Sequence, residues 1–248
     1  MPTFIYQNVK KKLKKMEKIL TKKTPLSRIQ KLIGNLMLQS KQNQPSSFLE
    51  CKANLTDLLK FRKPYCKQTG LRITTNDFFI CAISRAINKF PMMTAQLTAD
   101  NEYAVIPDQT GIGFAVAAPQ GLVVPVIKNC GKKTLPQIAS DSNDLLQKAR
   151  SNKLTPGQLE GANVVLSSLG MFGISTFYAI SPPGSTGIVS IGRIEETITP
   201  VKKEFVTIKT MSVALAANLR IVDDFYAAKF LRCIVDLLEA PISLTDDP

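Results

Sequence analysis

The chain has 248 residues, of which 44% are apolar and 21% charged, and 32 Lys and Arg outnumber 19 Asp and Glu. This balance is that of a globular protein, and the length allows a sizeable hydrophobic core, so wholesale disorder is excluded. No run of about eighteen apolar residues occurs, so we expect no transmembrane helix. Histidine is absent. Its absence removes the commonest general base and zinc ligand, and excludes every Ser-His-Asp or Cys-His site within the chain.

The positive charge is concentrated at the N-terminus. Residues 1–75 carry 17 basic and 3 acidic side chains, whereas residues 76–248 carry 15 and 16. The densest part, Lys10–Lys18, can contact nucleic acid or an anionic membrane, or it can be a solvated linker. The solvated linker is favoured because a lysine tract with few aromatic residues has no base-stacking chemistry. We predict a basic arm over residues 1–24 and a core domain over 25–248.

The cysteines predict a reducing compartment. Five are present, an odd number with wide spacing, which is unlike a secreted disulfide framework. We interpret them as buried thiols and predict no metal site. The expected location is the bacterial cytoplasm or the mitochondrial matrix.

Hydrophobic periodicity predicts helices, strands and turns in a mixed order. The first half should contain an amphipathic helix from Leu26 to about Gln42, a strand over Phe48–Thr56, a helix around Lys60–Lys67 closed by Gly70, and a very apolar, buried helix over 77–90 capped by Thr75-Asn76-Asp77. The middle should contain strands over Tyr103–Pro107, Gly113–Ala118 and Leu122–Ile127, the last two joined by a turn at Pro119-Gln120-Gly121. The remainder should contain helices over Pro136–Lys153 and Val222–Leu238, with strands over Val164–Ser168, Ile188–Ile194 and Phe205–Ala216. Helices at both ends of the chain around several strands indicate an α+β single domain.

Seven short motifs in order carry a resemblance to a known family. They are Pro25–Met37, Asn76–Phe79, Gly111–Val116, Gly121–Ile127, Leu166–Gly173, Ser181–Pro183 and Arg220–Asp223. The chain resembles, from about Pro25 to Leu244, the catalytic domain of dihydrolipoamide acyltransferases, the core subunits of 2-oxo acid dehydrogenase complexes. The resemblance implies a chloramphenicol-acetyltransferase-like mixed sheet flanked by helices, which assembles as a homotrimer or a higher multiple of three. It also implies acyl transfer between a lipoyl group and coenzyme A, at sites between adjacent subunits and without a metal.

The resemblance also assigns site residues. In the family, a histidine removes the proton of the attacking thiol, and a hydroxyl from the neighbouring subunit stabilises the oxyanion. The hydroxyl matches Ser167, with Ser168 beside it. The family's Asp-His-Arg-x-x-Asp-Gly corresponds to Asn218–Asp224, so that Leu219 replaces the histidine, Asn218 the first Asp and Asp224 the Gly, while Arg220 and Asp223 remain.

These departures leave three functions open. The favoured one is a catalytically degenerate core subunit that serves as a scaffold or an accessory subunit. Its candidate partners include catalytic acyltransferase subunits of the same complex. The second is an active acyltransferase that uses Ser167, Ser168, Asp223 or a cysteine in place of histidine. The third is a protein that binds RNA or an anionic surface through Lys10–Lys18. In a degenerate subunit, Arg220 and Asp223 are expected to form a structural ion pair. In the family, lipoyl domains normally precede the core, but only residues 1–24 precede the core pattern in this sequence. We therefore expect no lipoyl domain in cis that could present a substrate.

Overall fold

The computed structural model describes Lys10, residues 24–201 and residues 204–246. In that part of the chain the α-helices are α1 Arg28–Asn43, α2 Thr56–Thr69, α3 Thr75–Lys89, α4 Leu135–Arg150 and α5 Asp224–Glu239. The strands are β1 Ser46–Asn54, β2 Gln96–Leu97, β3 Ala104–Val105, β4 Gly111–Phe114, β5 Val116–Ala118, β6 Gly121–Val123, β7 Val126–Lys128, β8 Val164–Ser168, β9 Gly187–Val201 and β10 Glu204–Asn218. The helices and strands confirm the predicted α+β class.

A six-stranded mixed sheet, in the order β1-β10-β9-β8-β4-β7, organises the fold. Strand β8 runs parallel to β9 and β4, and the other neighbours are antiparallel. Strands β2 and β3 form a separate two-stranded ribbon, and β5 and β6 form another. The β5–β6 hairpin has the predicted turn between Ala118 and Gly121.

Helix α3 is the centre of the core. Thr74 caps it, because its hydroxyl accepts the Asp77 N–H at 3.3 Å and the Asp77 carboxylate accepts the Thr74 N–H at 2.7 Å. The cap therefore lies one residue before the predicted one. From Phe78 to Ile87 only Arg85 is not fully buried, which confirms the predicted burial. Asp77 is buried too, and it accepts a hydrogen bond from Ser142 of α4, which joins the two helices.

Several predicted boundaries were wrong. Helix α4 ends at Arg150 instead of Lys153, because Asn152 has a positive φ of 55°. The two predicted strands of the middle segment are each broken, giving β4, β5, β6 and β7. Strand β9 continues seven residues beyond the predicted end at Ile194, because residues 195–201 pair with residues 204–210, whereas β10 departs from its predicted ends by only one and two residues.

Helix α1 has an apolar stripe that its own chain does not cover. Only Ser40 is buried, and it donates a hydrogen bond to the carbonyl of Ser181. Leu26, just before the helix, is 59% exposed, and Leu32 and Leu38 are 59% and 56% exposed. The amphipathic pattern predicted for this segment is correct, but the described part of the chain leaves much of its apolar side exposed.

Candidate functional site

Ser167 and Ser168 end strand β8 at one edge of the sheet. Ser167 lies opposite Ser190 of β9, and Ser168 lies opposite Ile191. Both serines are half-buried, and neither hydroxyl makes a hydrogen bond within the described part of the chain. Hydroxyls that face solvent without an internal partner can donate to an oxyanion of a bound molecule.

Close glycine packing fixes the turn that follows Ser168. A Cβ on Gly170 would lie 2.3 Å from the Gly192 carbonyl oxygen, and a Cβ on Gly192 would lie 1.8 Å from that of Ser175. Gly173 has a φ of +79°, which favours glycine. The shape of this turn therefore depends on Gly170 and Gly173. Gly192 was missed, because a lone glycine in a strand pattern does not reveal which segment packs against it.

The second candidate segment is the turn between β10 and α5. Asn218 is buried, and its carbonyl accepts the N–H groups of Ile221 and Val222 at 3.0 and 3.1 Å. Leu219 donates its N–H to the Pro45 carbonyl at 2.9 Å. Its side chain is 45% exposed. Backbone hydrogen bonds therefore hold the turn, and the side chain at 219 faces outward.

Arg220 and Asp223 do not form the predicted ion pair. Arg220 donates to the Asn43 carbonyl at 2.9 Å and to Asn101 Oδ1, so it joins the end of α1 to the β2–β3 ribbon. Asp223 caps α5, and its carboxylate accepts the Tyr226 N–H at 2.7 Å. The prediction failed because an unpaired helix N–H attracts a carboxylate at the cap position. Asp224 is the first helical residue and is exposed.

Ser167 and Leu219 are far apart in one chain. Ser167 lies opposite Ser190, which lies opposite Ala214, and Leu219 follows Ala214 by five residues. With about 4.8 Å between strands and about 3.3 Å per residue, the backbones at 167 and 219 are separated by about 19 Å. Within one chain, the Ser167 hydroxyl therefore cannot reach a molecule that reacts beside Leu219.

A groove of about 700 Å³ lies beside Leu219. Pro45, which accepts the Leu219 N–H, lines it together with Lys41 and three larger apolar side chains, Phe48, Tyr178 and Ile180. The Phe48 and Tyr178 rings meet edge to face with centroids 5.6 Å apart. Its volume suits an organic ligand or a segment of another chain.

The prediction of buried thiols holds for two of the five cysteines, because Cys51, Cys66 and Cys233 are only half-buried. Cys81 and Cys130 are buried, and burial raises their pKa values to about 11 and about 12. Burial also raises the pKa of Cys51 and of Cys233. Reactive cysteines have lowered pKa values, so these thiols are poor nucleophiles. The described residues contain no group of three or more Cys, Asp or Glu placed to hold a metal ion.

Comparisons with known proteins identify the family. The sequence pattern of the 2-oxoacid dehydrogenases acyltransferase catalytic domain matches residues 19–245. The chain belongs to this acyltransferase family. The acetyltransferase component of the pyruvate dehydrogenase complex of Rickettsia felis is 34% identical over 223 residues, which are 88% of this chain and 53% of that protein. The chain thus spans about half the length of the curated relatives it matches.

Solved structures share the acyltransferase fold. A dihydrolipoamide acetyltransferase from Azotobacter vinelandii superposes with a TM-score of 0.84 at 26% identity, over 90% of this chain and 93% of that one. A probable dihydrolipoamide acetyltransferase from Listeria monocytogenes gives a TM-score of 0.82 at 27% identity, over 90% and 96%. The predicted mixed sheet flanked by helices is confirmed. In the described part of this acyltransferase-family chain, no helix is long and apolar enough to cross a membrane.

Proposed function

We propose that the chain is a core subunit of a 2-oxo acid dehydrogenase-type complex that lacks standard acyltransferase activity and serves as a scaffold or accessory subunit. The observation that carries the proposal is Leu219 in the outward-facing position of the β10–α5 turn. A serine, a histidine and an asparagine were studied for their role in catalysis in the Azotobacter vinelandii enzyme. The intervals between those three residues equal the intervals from Ser167 to Leu219 and from Leu219 to Asp223.

The chemistry explains why Leu219 matters. A thiol with an ordinary pKa near 8.5 is mostly protonated at neutral pH, and attack on a thioester requires thiolate. Leucine cannot accept the proton, and the chain has no histidine to replace it. The Asp223 carboxylate is committed to capping α5. Loss of a general base costs about 10²–10⁴-fold in rate.

The separation of Ser167 from Leu219 supports an assembly with sites built from two chains, in line with the predicted trimer. Because about 19 Å separates them, the hydroxyl of one chain can meet position 219 only in another chain. The uncovered apolar stripe of α1 and the exposed Phe48 supply surface for such contacts. Light scattering should give three chains or a multiple of three. A monomer at micromolar concentration would contradict this assembly.

The proposed ligands are coenzyme A and a lipoyl group, bound without turnover or not bound at all. The proposed partners are further copies of this chain and, within the same complex, histidine-bearing acyltransferase subunits that can complete a shared site. Relatives come from bacteria, and one from Schizosaccharomyces pombe is described as mitochondrial. We therefore place the chain in the bacterial cytoplasm or the mitochondrial matrix. None of these relatives is described as binding nucleic acid or a membrane.

Acetyl transfer from acetyl-CoA to dihydrolipoamide tests the proposal. The unmodified protein should show little or no turnover. Leu219→His should restore part of the rate, and the triple change Asn218→Asp, Leu219→His, Asp224→Gly should restore more, because Asn218 and Asp224 flank the ring position. A control with Leu219→Met should stay inactive, because methionine fills similar volume and accepts no proton.

The active-enzyme alternative rests on the free hydroxyls of Ser167 and Ser168. Hydroxyls that stabilise an oxyanion can leave some rate when the base is lost. Turnover by the unmodified protein at a typical enzyme rate, on the order of 10 per second, would favour this alternative. Ser167→Ala should then abolish the activity.

A further inference from the structure

The β2–β3 ribbon presents apolar side chains that the described chain does not cover. The ribbon pairs with no other strand there, and every residue from 99 to 106 is exposed. Tyr103, Val105 and Ile106 are 66%, 55% and 45% exposed. We define the ribbon patch as these three residues together with the neighbouring acidic residues Asp100, Glu102 and Asp108.

The ribbon patch carries three carboxylates, and Arg220, which contacts the ribbon, donates to Asn101 and not to any of them. The sequence has no Lys or Arg between Lys89 and Lys128. Among the described residues, none of the three patch carboxylates is in an ion pair, whereas Asp141 pairs with Lys133, Asp144 with Lys148 and Glu196 with Lys209. Asp100 accepts the Glu102 N–H at 3.1 Å and the Thr98 hydroxyl, which lowers its pKa and keeps it charged. A partner for this surface must therefore be basic and partly apolar.

The chain itself contains a segment of that chemistry. Residues 10–20 hold six lysines, one acid (Glu17) and the apolar residues Leu13, Met16, Ile19 and Leu20. We propose that the ribbon patch is the docking site of this basic segment, with apolar side chains against Tyr103, Val105 and Ile106 and lysines beside the carboxylates. In this arrangement, the positive charge of residues 10–20 lies against the negative charge of the ribbon patch on the core domain.

The segment is long enough to reach the patch. Helix α1 has 16 residues, which corresponds to a length of about 24 Å. Its last residue, Asn43, is joined to the ribbon through Arg220, which contacts both Asn43 and Asn101. Leu13 precedes Arg28 by a stretch that spans up to about 50 Å when extended. Docking on the same chain is within reach, and docking on an adjacent copy uses the same surfaces.

Photo-crosslinking of the full chain tests the docking. Benzoylphenylalanine replaces Tyr103 in one protein and, as the control, Phe225, which is 69% exposed on α5. Crosslinks mapped by mass spectrometry should reach residues 10–20 at least tenfold more often from 103 than from 225. The yield should fall when salt is raised from about 0.05 to about 0.5 M, because salt screens exposed charges.

Charge variants decide whether the patch attracts the segment. In the Tyr103 probe protein, Glu102→Gln with Asp108→Asn should lower the yield at least fivefold. The matched control, Asp57→Asn with Glu160→Gln, removes the same charge from exposed positions elsewhere and should leave it unchanged. Mixing isotopically labelled and unlabelled chains shows whether the docked segment belongs to the same chain or a neighbour, and either result supports the docking. Equal yields from 103 and 225, insensitivity to the patch variants, or crosslinks only to another protein would overturn it.

Discussion

Two forms of this chain, each of which we expect to be inactive alone, should restore acetyl transfer when they assemble together. The first form is the unmodified chain, which has Ser167 but leucine at 219. The second form carries the Asn218→Asp, Leu219→His, Asp224→Gly changes together with Ser167→Ala, so it has the base but lacks the hydroxyl. Each form supplies the half of the site that the other lacks.

The expected rate follows from the geometry. The separation of about 19 Å between positions 167 and 219 prevents a single chain from completing a site. In a cyclic trimer, each site takes its hydroxyl from one chain and its base from the next. When equal amounts assemble at random, about one quarter of the interfaces join the two functional halves. The mixture should therefore reach about a quarter of the rate of the triple variant that keeps Ser167.

Co-expression followed by the acetyl-CoA and dihydrolipoamide assay measures this rate. The second form alone should be slower than the triple variant by about 10²–10³-fold, the usual cost of one oxyanion donor. A mixture no faster than its better parent, beside an active triple variant, would refute a site shared between chains. An undiminished rate in the second form alone would show that Ser167 is not the donor.

Three further predictions concern the fold. Gly192→Ala should destabilise the protein by more than the roughly 1–3 kcal/mol typical of overpacking, because the added Cβ would meet backbone atoms. Urea unfolding measures this loss, and Gly157→Ala is the control because its Cβ would meet no atom within 4 Å. Burial raises the pKa of Asp77, so the stabilising contribution of the protonated carboxyl is full below the unfolded value of 3.8 and is lost as pH rises through the folded pKa. Asp77→Asn should therefore remove the part of the fall in melting temperature that follows this titration as pH rises above 3.8. Removal of residues 1–24 should preserve the circular dichroism spectrum and lower the melting temperature by no more than about 2–4 °C, the shift that 1 kcal/mol gives at this size.

The sequence predicted the elements well where the local pattern and the burial agree. Helix α3 is apolar on nearly all sides and is buried. Strand β8 has the predicted bounds, Val164–Ser168. The hydrophobic pattern failed where a strand is held by backbone pairing with its neighbour and is not buried. None of residues 195–200 of β9 is fully buried and their apolar pattern is weak, yet residues 195–201 pair with residues 204–210 of β10. Backbone pairing without burial leaves little signal in the hydrophobic pattern, so the end of β9 could not be predicted.

The candidate site shows the same limit. Motif order identified Ser167 and the 218–224 turn as candidates, and the resemblance implied that they meet between adjacent subunits. Their separation of about 19 Å within one chain follows from the strand register, which is invisible in a single sequence. The interpretation of Arg220 and Asp223 as an ion pair used only their opposite charges. The structure gives Arg220 partners at Asn43 and Asn101, which no spacing rule connects. Charge alone does not identify a partner when backbone carbonyls and helix ends compete for the same groups.

The hydrogen bonds of the β10–α5 turn do not depend on the side chain at 219, and this leads to a final prediction. Asn218 closes the turn through its carbonyl, Leu219 contributes only its N–H to Pro45, and Asp223 caps the helix. No hydrogen bond involves the side chain at 219, which is 45% exposed. Leu219→His should therefore change the free energy of unfolding by no more than about 0.5 kcal/mol. Asn218→Asp should cost more, because it places a carboxylate where only 4% of the residue is exposed. Urea unfolding of the two single variants measures both effects. A large loss in Leu219→His would show that the leucine packs against another subunit in the assembly.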